Sequence, residues 1–167
     1  RDKGIFDLVE AFRQVAIDVS DVELWVVGPD EEGLLPSLKL AASDCDTQIR
    51  WLGPTLRPYE FMAAADVLLL PSYREGFGSV IIEGAACGLP AIAYRVDGVI
   101  DAVKEEYSGI LTDVGDVAVF GAAMKSIAVN KDLRLLLGSQ ARKRVEQHFR
   151  SERVTEAWLD WYRKALD

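Results

Sequence analysis

Histidine, cysteine and positive charge are all scarce in this chain. Its 167 residues hold one histidine, His148, and two cysteines, Cys45 and Cys87. A lone imidazole has no second His or Cys at ligand spacing, so no metal site is implied, and His148 reads as a capping or surface residue where a long helix ends. The cysteines sit in segments that read as helical and are read as buried free thiols, which fits a reducing compartment. Nineteen basic residues against twenty-seven acidic ones give a formal charge of −8. That balance argues against a nucleic-acid partner and means that any anionic ligand needs a local positive site. No run approaches the roughly 20 apolar residues that span a bilayer. The opening Arg-Asp-Lys-Gly also lacks the apolar middle of a secretory signal. A soluble, cytoplasmic protein is expected. Internal repeats, low-complexity segments and linkers rich in Gly, Ser or Pro are absent too. With half of its residues hydrophobic, the chain reads as a single domain, 1–167, with a real core.

What is present is an alternation. Ile5, Leu8, Val9, Phe12, Val15 and Ala16 recur at helical steps, so residues 3–18 form an amphipathic helix. Strands follow at 23–27, 48–52, 67–70, 91–94 and 108–112, the first, second and fourth flanked by Gly-Pro or Gly-Leu-Pro punctuation. Helices are expected between them at 34–43, 58–65, 79–88 and 99–104. Strands separated by helical segments predict an α/β fold, a doubly wound parallel sheet of five strands covered on both faces. After Asp113 the pattern is wholly helical, with stripes at Val117, Phe120, Met124 and Ile127, then at Leu133, Leu136 and Leu137. Val154, Trp158, Trp161, Tyr162 and Ala165 mark a last helix. Its aromatics are expected to pack in the core or, failing that, against another domain.

The chemistry concentrates in Glu75-Gly-Phe-Gly-Ser-Val-Ile-Ile-Glu83. The apolar 67–70 strand ends at Pro71-Ser72, and Gly76 and Gly78 turn the chain into a helix starting near Ser79. The helix N-terminus then faces the carboxyl end of the sheet, where ligands of open α/β folds bind. Free N–H groups of Gly78, Ser79 and Val80 suit a diphosphate, and ionised Glu75 and Glu83, which only accept hydrogen bonds, suit hydroxyl-rich groups. A nucleotide linked to a sugar has both parts. The spacing alone equally allows Glu75 as a solvated loop charge and Glu83 as an exposed helix residue.

The run from Tyr73-Arg74-Glu75-Gly76-Phe77-Gly78 through Glu83 to Gly88-Leu89-Pro90-Ala91-Ile92-Ala93 resembles the signature of glycogen-synthase-like, group 1 retaining glycosyltransferases of GT-B fold. Lys3-Gly4, Glu10-Ala11-Phe12, the strand ends at 26–28 and 51–53 and the stretch from Ala65 to Ser72 resemble the same family's C-terminal, donor-binding domain. The resemblance implies a donor substrate, a UDP-, GDP- or ADP-sugar; no cofactor is expected, and no metal, because the chain reads as lacking both an Asp-X-Asp triplet and a His/Cys cluster at ligand spacing. It implies that Glu75 accepts hydrogen bonds from the donor sugar, that the backbone of Gly76, Phe77 and Gly78 touches the sugar and distal phosphate, and that the Ser79 and Val80 amides hold phosphate oxygens. Glu83 takes the ribose hydroxyls, Lys3 contacts the diphosphate, and the loop from Pro54 to Arg57 lies against the base. Lys3 and Glu75 are thus the catalytic candidates. A lysine at a helix N-terminus opposes the dipole unless an anion lies between them.

The pattern also breaks. In the family a strand ending in Gly-Arg precedes the Lys-Gly step, and Arg1 is not that arginine. If the sheet is doubly wound, the absent strand is the central one, between 24–27 and 67–70. A fragment is expected, lacking an N-terminal domain that carries the acceptor site, binding a glycan or lipid-linked acceptor and making any membrane association. Such a piece binds donor without turnover. Asp97 stands where Gly-Gly is more usual, which bears on the shape of the sugar pocket. The alternatives are a GT-B sugar-nucleotide epimerase or hydrolase, or a noncatalytic module binding a partner through Trp158 and Trp161.

Overall fold

The computed structural model describes residues 2–166; Arg1 and Asp167, and with them the reading made on Arg1, lie outside the described residues. The chain runs α1 (Ile5–Asp18), β1 (Leu24–Val27), α2 (Leu35–Ala41), β2 (Ile49–Gly53), α3 (Pro58–Ala64), β3 (Leu68–Leu70), α4 (Ser79–Ala86), β4 (Ala91–Tyr94), α5 (Asp97–Ile100), β5 (Gly109–Thr112), α6 (Val117–Val129), α7 (Lys131–His148) and α8 (Ser151–Leu166). Prolines open α2 and α3 within their first turn, where the missing N–H is no loss. Side chains cap the two long helices that follow the sheet. Asp116 accepts from the Val119 N–H at 3.0 Å and Asn130 from the Leu133 N–H at 3.0 Å, each satisfying an orphan donor.

All strand pairs are parallel, yet the five strands do not form one continuous sheet. β1 pairs with β2, aligning Leu24 with Ile49. Separately, β4 pairs with β3 on one side and β5 on the other, and no ladder joins β1 to β3. The break falls in the interval to which the resemblance assigns a central strand. It explains a further difference. The wholly apolar 67–70 run reads as a buried strand, but Leu68, Leu69 and Leu70 are only half-buried, because β3 has an open edge, whereas β4, flanked on both sides, is buried along its whole length.

Helices hold the two pieces together. Leu8, Val9, Phe12 and Val15 of α1 and Phe120, Met124 and Ile127 of α6 join one apolar cluster with Leu24 of β1, Ile49 of β2, and Ile92 and Tyr94 of β4. A smaller cluster on the other face packs Ile81 of α4 and Val99 of α5 over Ala91, Ala93 and Leu111. Helices thus cover both faces of the three-stranded piece. α5 starts earlier and is shorter than the expected 99–104, since Val96 is extended and the acidic Asp97 begins the helix directly. A one-turn 3₁₀ helix at Asp46–Gln48 was not anticipated.

Smaller readings are also revised. Cys45 is buried but lies in a turn, not a helix, and Cys87 is half-buried at the end of α4; both are free thiols. Burial pushes the Cys45 thiol up, so it stays protonated. His148 is exposed in the last turn of α7. α8 buries none of its residues, so core packing of its aromatics is not observed. Trp158, Trp161 and Tyr162 instead stack on one another, with ring centroids 5.2–6.0 Å apart. No helix of the described residues is long and apolar enough to cross a membrane.

Phe120 is 1% exposed and meets the Tyr94 ring edge-on at 5.3 Å. Phe120→Ala is expected to destabilise the chain by about 3–5 kcal/mol in urea unfolding. Ile17→Ala, at a side chain 82% exposed, should change stability by less than about 0.5 kcal/mol.

Candidate functional site

The parallel strands β3 and β4 end side by side, and three chain segments converge beyond their carboxyl ends: the entry to α1, the loop from Pro71 to Gly78, and the turn from β4 into α5. Two cavities open there. One, of about 660 Å³, is lined by Asp2, Gly4, Phe6, Asp7, Tyr73 and Arg74. The other, of about 300 Å³, is lined by Tyr73, Arg74, Glu75, Val96 and Asp97. Tyr73 and Arg74 border both, so the two are compartments of one cleft.

Lys3 and Glu75, 72 residues apart in sequence, meet beside it, Glu75 lining the smaller cavity. The Lys3 ammonium donates to Glu75 Oε1 at 2.7 Å. The two are unequal in setting, for the Glu75 side chain is 13% exposed and that of Lys3 is 70% exposed. The carboxylate is therefore held in place while its cation is free to swing. Gly98 fixes the Glu75 backbone from below. A Cβ on residue 98 would lie 2.1 Å from the Glu75 carbonyl oxygen, so the α5 turn approaches this closely only with glycine there. Beside the loop, α4 begins after Gly78 with no side-chain cap. Its Ser79 and Val80 amides have no acceptor among the described residues, which leaves an uncompensated positive helix end beside the cleft.

A second polar cluster backs the first. Asp7 Oδ2 accepts from Tyr73 Oη at 2.7 Å and from Tyr94 Oη at 2.8 Å. The hydrogen bond to Asp7 raises the Tyr73 phenol above the usual tyrosine range. Burial, and then Asp7, raises that of Tyr94 further. Both phenols stay protonated, as donors, at neutral pH.

The family profile for glycosyl transferases group 1 matches residues 1–144. The chain belongs to this family. It is 32% identical over 166 residues to the N-acetyl-alpha-D-glucosaminyl L-malate synthase of Bacillus anthracis, covering 98% of this chain and 43% of that protein. Among solved structures it resembles the sucrose-phosphate synthase of Thermosynechococcus elongatus, with TM-score 0.87, 30% identity, and coverage of 99% of this chain and 43% of the other. It also shares its fold with Anabaena HepE, solved in complex with UDP and glucose, at TM-score 0.85 and 22% identity over 95% of this chain and 45% of that one. The chain thus spans less than half the length of these relatives. Its architecture is that of one half of a GT-B glycosyltransferase, as its sequence motifs implied.

Within this glycosyltransferase domain the sequence-derived residues divide. Lys3 and Glu75 touch. Lys3, Gly76, Phe77, Gly78, Ser79, Val80 and Glu83 line neither cavity. Glu83 is exposed, and Phe77, 45% exposed, packs its ring against Phe149 at 6.0 Å. The loop from Pro54 to Arg57 also lies off both cavities and carries Leu56 at 99% exposure. Sequence reasoning missed Asp7, Tyr94 and Arg74. Asp7 was read only as a polar position of an amphipathic helix, and Tyr94 only as the end of a strand. Arg74 has no ion-pair or hydrogen-bond partner among the described residues, and its place next to Glu75 was the one available signal. The chain's single Asp-X-Asp triplet, Asp44-Cys45-Asp46, was also overlooked. It borders neither cavity, since Asp44 binds the Arg13 guanidinium at 2.7 Å and Asp46 accepts from the Trp51 indole at 3.3 Å.

The raised phenols set a pH dependence. Unfolded tyrosines ionise near pH 10, while the folded chain retains these two protons above that. Stability from the cluster is therefore full below about pH 10 and falls as pH rises beyond it. In denaturant titrations at increasing alkalinity the parent should lose stability more steeply above about pH 10 than Tyr94→Phe does. Parallel losses would show that Tyr94 ionises alike in both states.

Proposed function

We propose that this chain is the donor-binding half of an enzyme that transfers a sugar, with retention at the anomeric carbon, from a nucleotide diphosphate sugar to an acceptor hydroxyl. The observation that carries this reading is the Lys3–Glu75 pair at the carboxyl ends of β3 and β4, beside the uncapped start of α4. Without a ligand the two charges compensate each other. A diphosphate between Lys3 and the Ser79 and Val80 amides offers the mobile ammonium a doubly charged partner, and its departure from Glu75 leaves a fixed carboxylate to accept from sugar hydroxyls. The same exchange relieves the opposition between Lys3 and the α1 dipole. UDP in the neighbouring HepE structure supports a nucleotide occupant of this fold.

In this reading no protein nucleophile is needed. As the bond from the sugar to the diphosphate lengthens, negative charge grows on the leaving phosphate and positive charge on the ring. Lys3, Arg74 and the α4 amides form a field already oriented toward the first, which is where such sites gain most of their rate. Glu75 orients the sugar through its hydroxyls. Glu83, one turn into α4 from Ser79, exposed and without a side-chain partner among the described residues, would accept from both ribose hydroxyls. The acceptor, a glycan or a lipid-linked sugar, and an N-terminal domain to bind it belong to the whole protein, whose setting is proposed to be cytoplasmic.

Calorimetric titration of the whole protein with UDP, GDP and ADP tests the reading. Saturable binding of at least one is expected, and binding of none would leave only a noncatalytic role. Glu83→Gln should weaken the bound nucleotide about tenfold to a hundredfold, the loss of charge-assisted bonds of about 1.5–3 kcal/mol each, with unfolding unchanged. Equal affinity in mutant and parent would reject the ribose role.

A further inference from the structure

Four contacts join the start of α1 to the loop that carries Glu75. Gly4 is held at φ 62°, and a Cβ there would lie 1.9 Å from the Pro71 carbonyl oxygen, so α1 begins in backbone contact with the end of β3. The Tyr73 N–H donates to the Asp2 carbonyl at 2.8 Å. Lys3 reaches Glu75 at 2.7 Å. One turn along α1 from Lys3, Asp7 accepts from both tyrosines through a single oxygen. Tyr94 is 0% exposed at the end of β4, its ring edge-on to Tyr73 at 5.7 Å and to Phe120 at 5.3 Å. The cluster thus anchors the first turn of α1 to the central strand of the β3–β5 piece and, through Phe120, to the core.

We propose that Asp7, Tyr73 and Tyr94 are positioning residues for donor binding: by locking the first turn of α1 onto the ends of β3 and β4, they set where Lys3 meets the diphosphate. The inference rests on the donor-binding reading above and deepens it. Two features separate positioning from packing alone. The bonds converge on one carboxylate oxygen on the side of α1 that borders the larger cavity. They also tie that turn to two strands at once, since Tyr73 follows β3 and Tyr94 ends β4. A shift of α1 along β3 would move Lys3 relative to Glu75 and the α4 amides together, and small misplacements of charged groups are expensive in such sites.

Tyr94 is the informative residue, since its buried hydroxyl cannot touch a ligand and any effect on affinity must be transmitted. A double-mutant cycle of Tyr94→Phe with Lys3→Met, read by calorimetry on the whole protein with the tightest-binding of UDP, GDP and ADP, tests the proposal. Tyr94→Phe alone is expected to weaken binding about threefold to tenfold, and in the Lys3→Met background by less than about 1.5-fold, because the group being positioned is gone. An equal loss in both backgrounds, or no loss in the parent background, overturns the proposal while leaving the donor reading in place. Failure of the parent to bind any of the three nucleotides overturns that reading and this inference with it. Should Tyr94→Phe not fold, Tyr73→Phe carries the cycle; because Tyr73 lines both cavities, only a loss that shrinks in the Lys3→Met background supports positioning, and a loss equal in both backgrounds, or none, overturns the proposal.

Discussion

The cleft depends on how the first turn of α1 meets the ends of β3 and β4, and α1 is held there by its packing against α6 and by the polar contacts at its start. Its buried face belongs to one continuous apolar cluster with residues of β1, β2, β4 and α6. A sheet fixes its strands by directional ladders, whereas a helix laid across two sheets fixes them by shape, which is less exacting along the helix axis. The start of α1 is therefore where added directional bonds matter most. That is where Gly4, the Asp2 carbonyl, Lys3 and Asp7 all engage the 71–75 loop or the end of β4. The constraint that holds the fold together and the constraint that shapes the cleft are the same.

Charge follows from that geometry. A chain of net charge −8 hosts an anion only if positive potential is concentrated locally, and here it comes from Lys3, Arg74 and an uncapped helix end rather than from a basic surface. The ion pair with Glu75 tempers this potential while the cleft is empty. Because Lys3 is largely exposed, the pair contributes little to stability, and the proposed exchange of Glu75 for a stronger anion would cost little. A buried pair in the same place would resist the exchange.

Much of this was legible in the sequence because the relevant signals are local. Period-3.6 apolar spacing, Gly-Pro stops and short apolar runs located every strand to within a residue or two and most helices nearly as well. Glu75-Gly-Phe-Gly identified the loop, and Lys3 was singled out by its match to the family's Lys-Gly step, since a lysine at a helix start is otherwise most simply a solubilising charge. What escaped was nonlocal. That β3 is half-buried depends on the unoccupied edge beside it, not on Leu68, Leu69 or Leu70 themselves. That Asp7 serves two tyrosines depends on residues 66 and 87 positions away, and nothing in an amphipathic pattern marks one polar position as different from the next. That Gly98 packs against the Glu75 carbonyl depends on a residue 23 positions away, which no turn signal reports.

The last helix shows the same limit from the other side. Its Val, Trp and Tyr residues repeat with the period of a buried face, and the same period elsewhere correctly located α1 and α6. Yet α8 buries nothing, and its rings satisfy only one another. Periodicity reports that a helix has an apolar side; it does not report whether the chain supplies a surface for it. For α1 the surface is two sheet fragments and α6. For α8 no such surface exists among the described residues, and an exposed cluster of two tryptophans and a tyrosine on a chain otherwise well sorted into inside and outside is a feature that its own core does not account for. The distinction between the two helices therefore lies wholly in tertiary context, the level that a reading of residue spacing cannot reach.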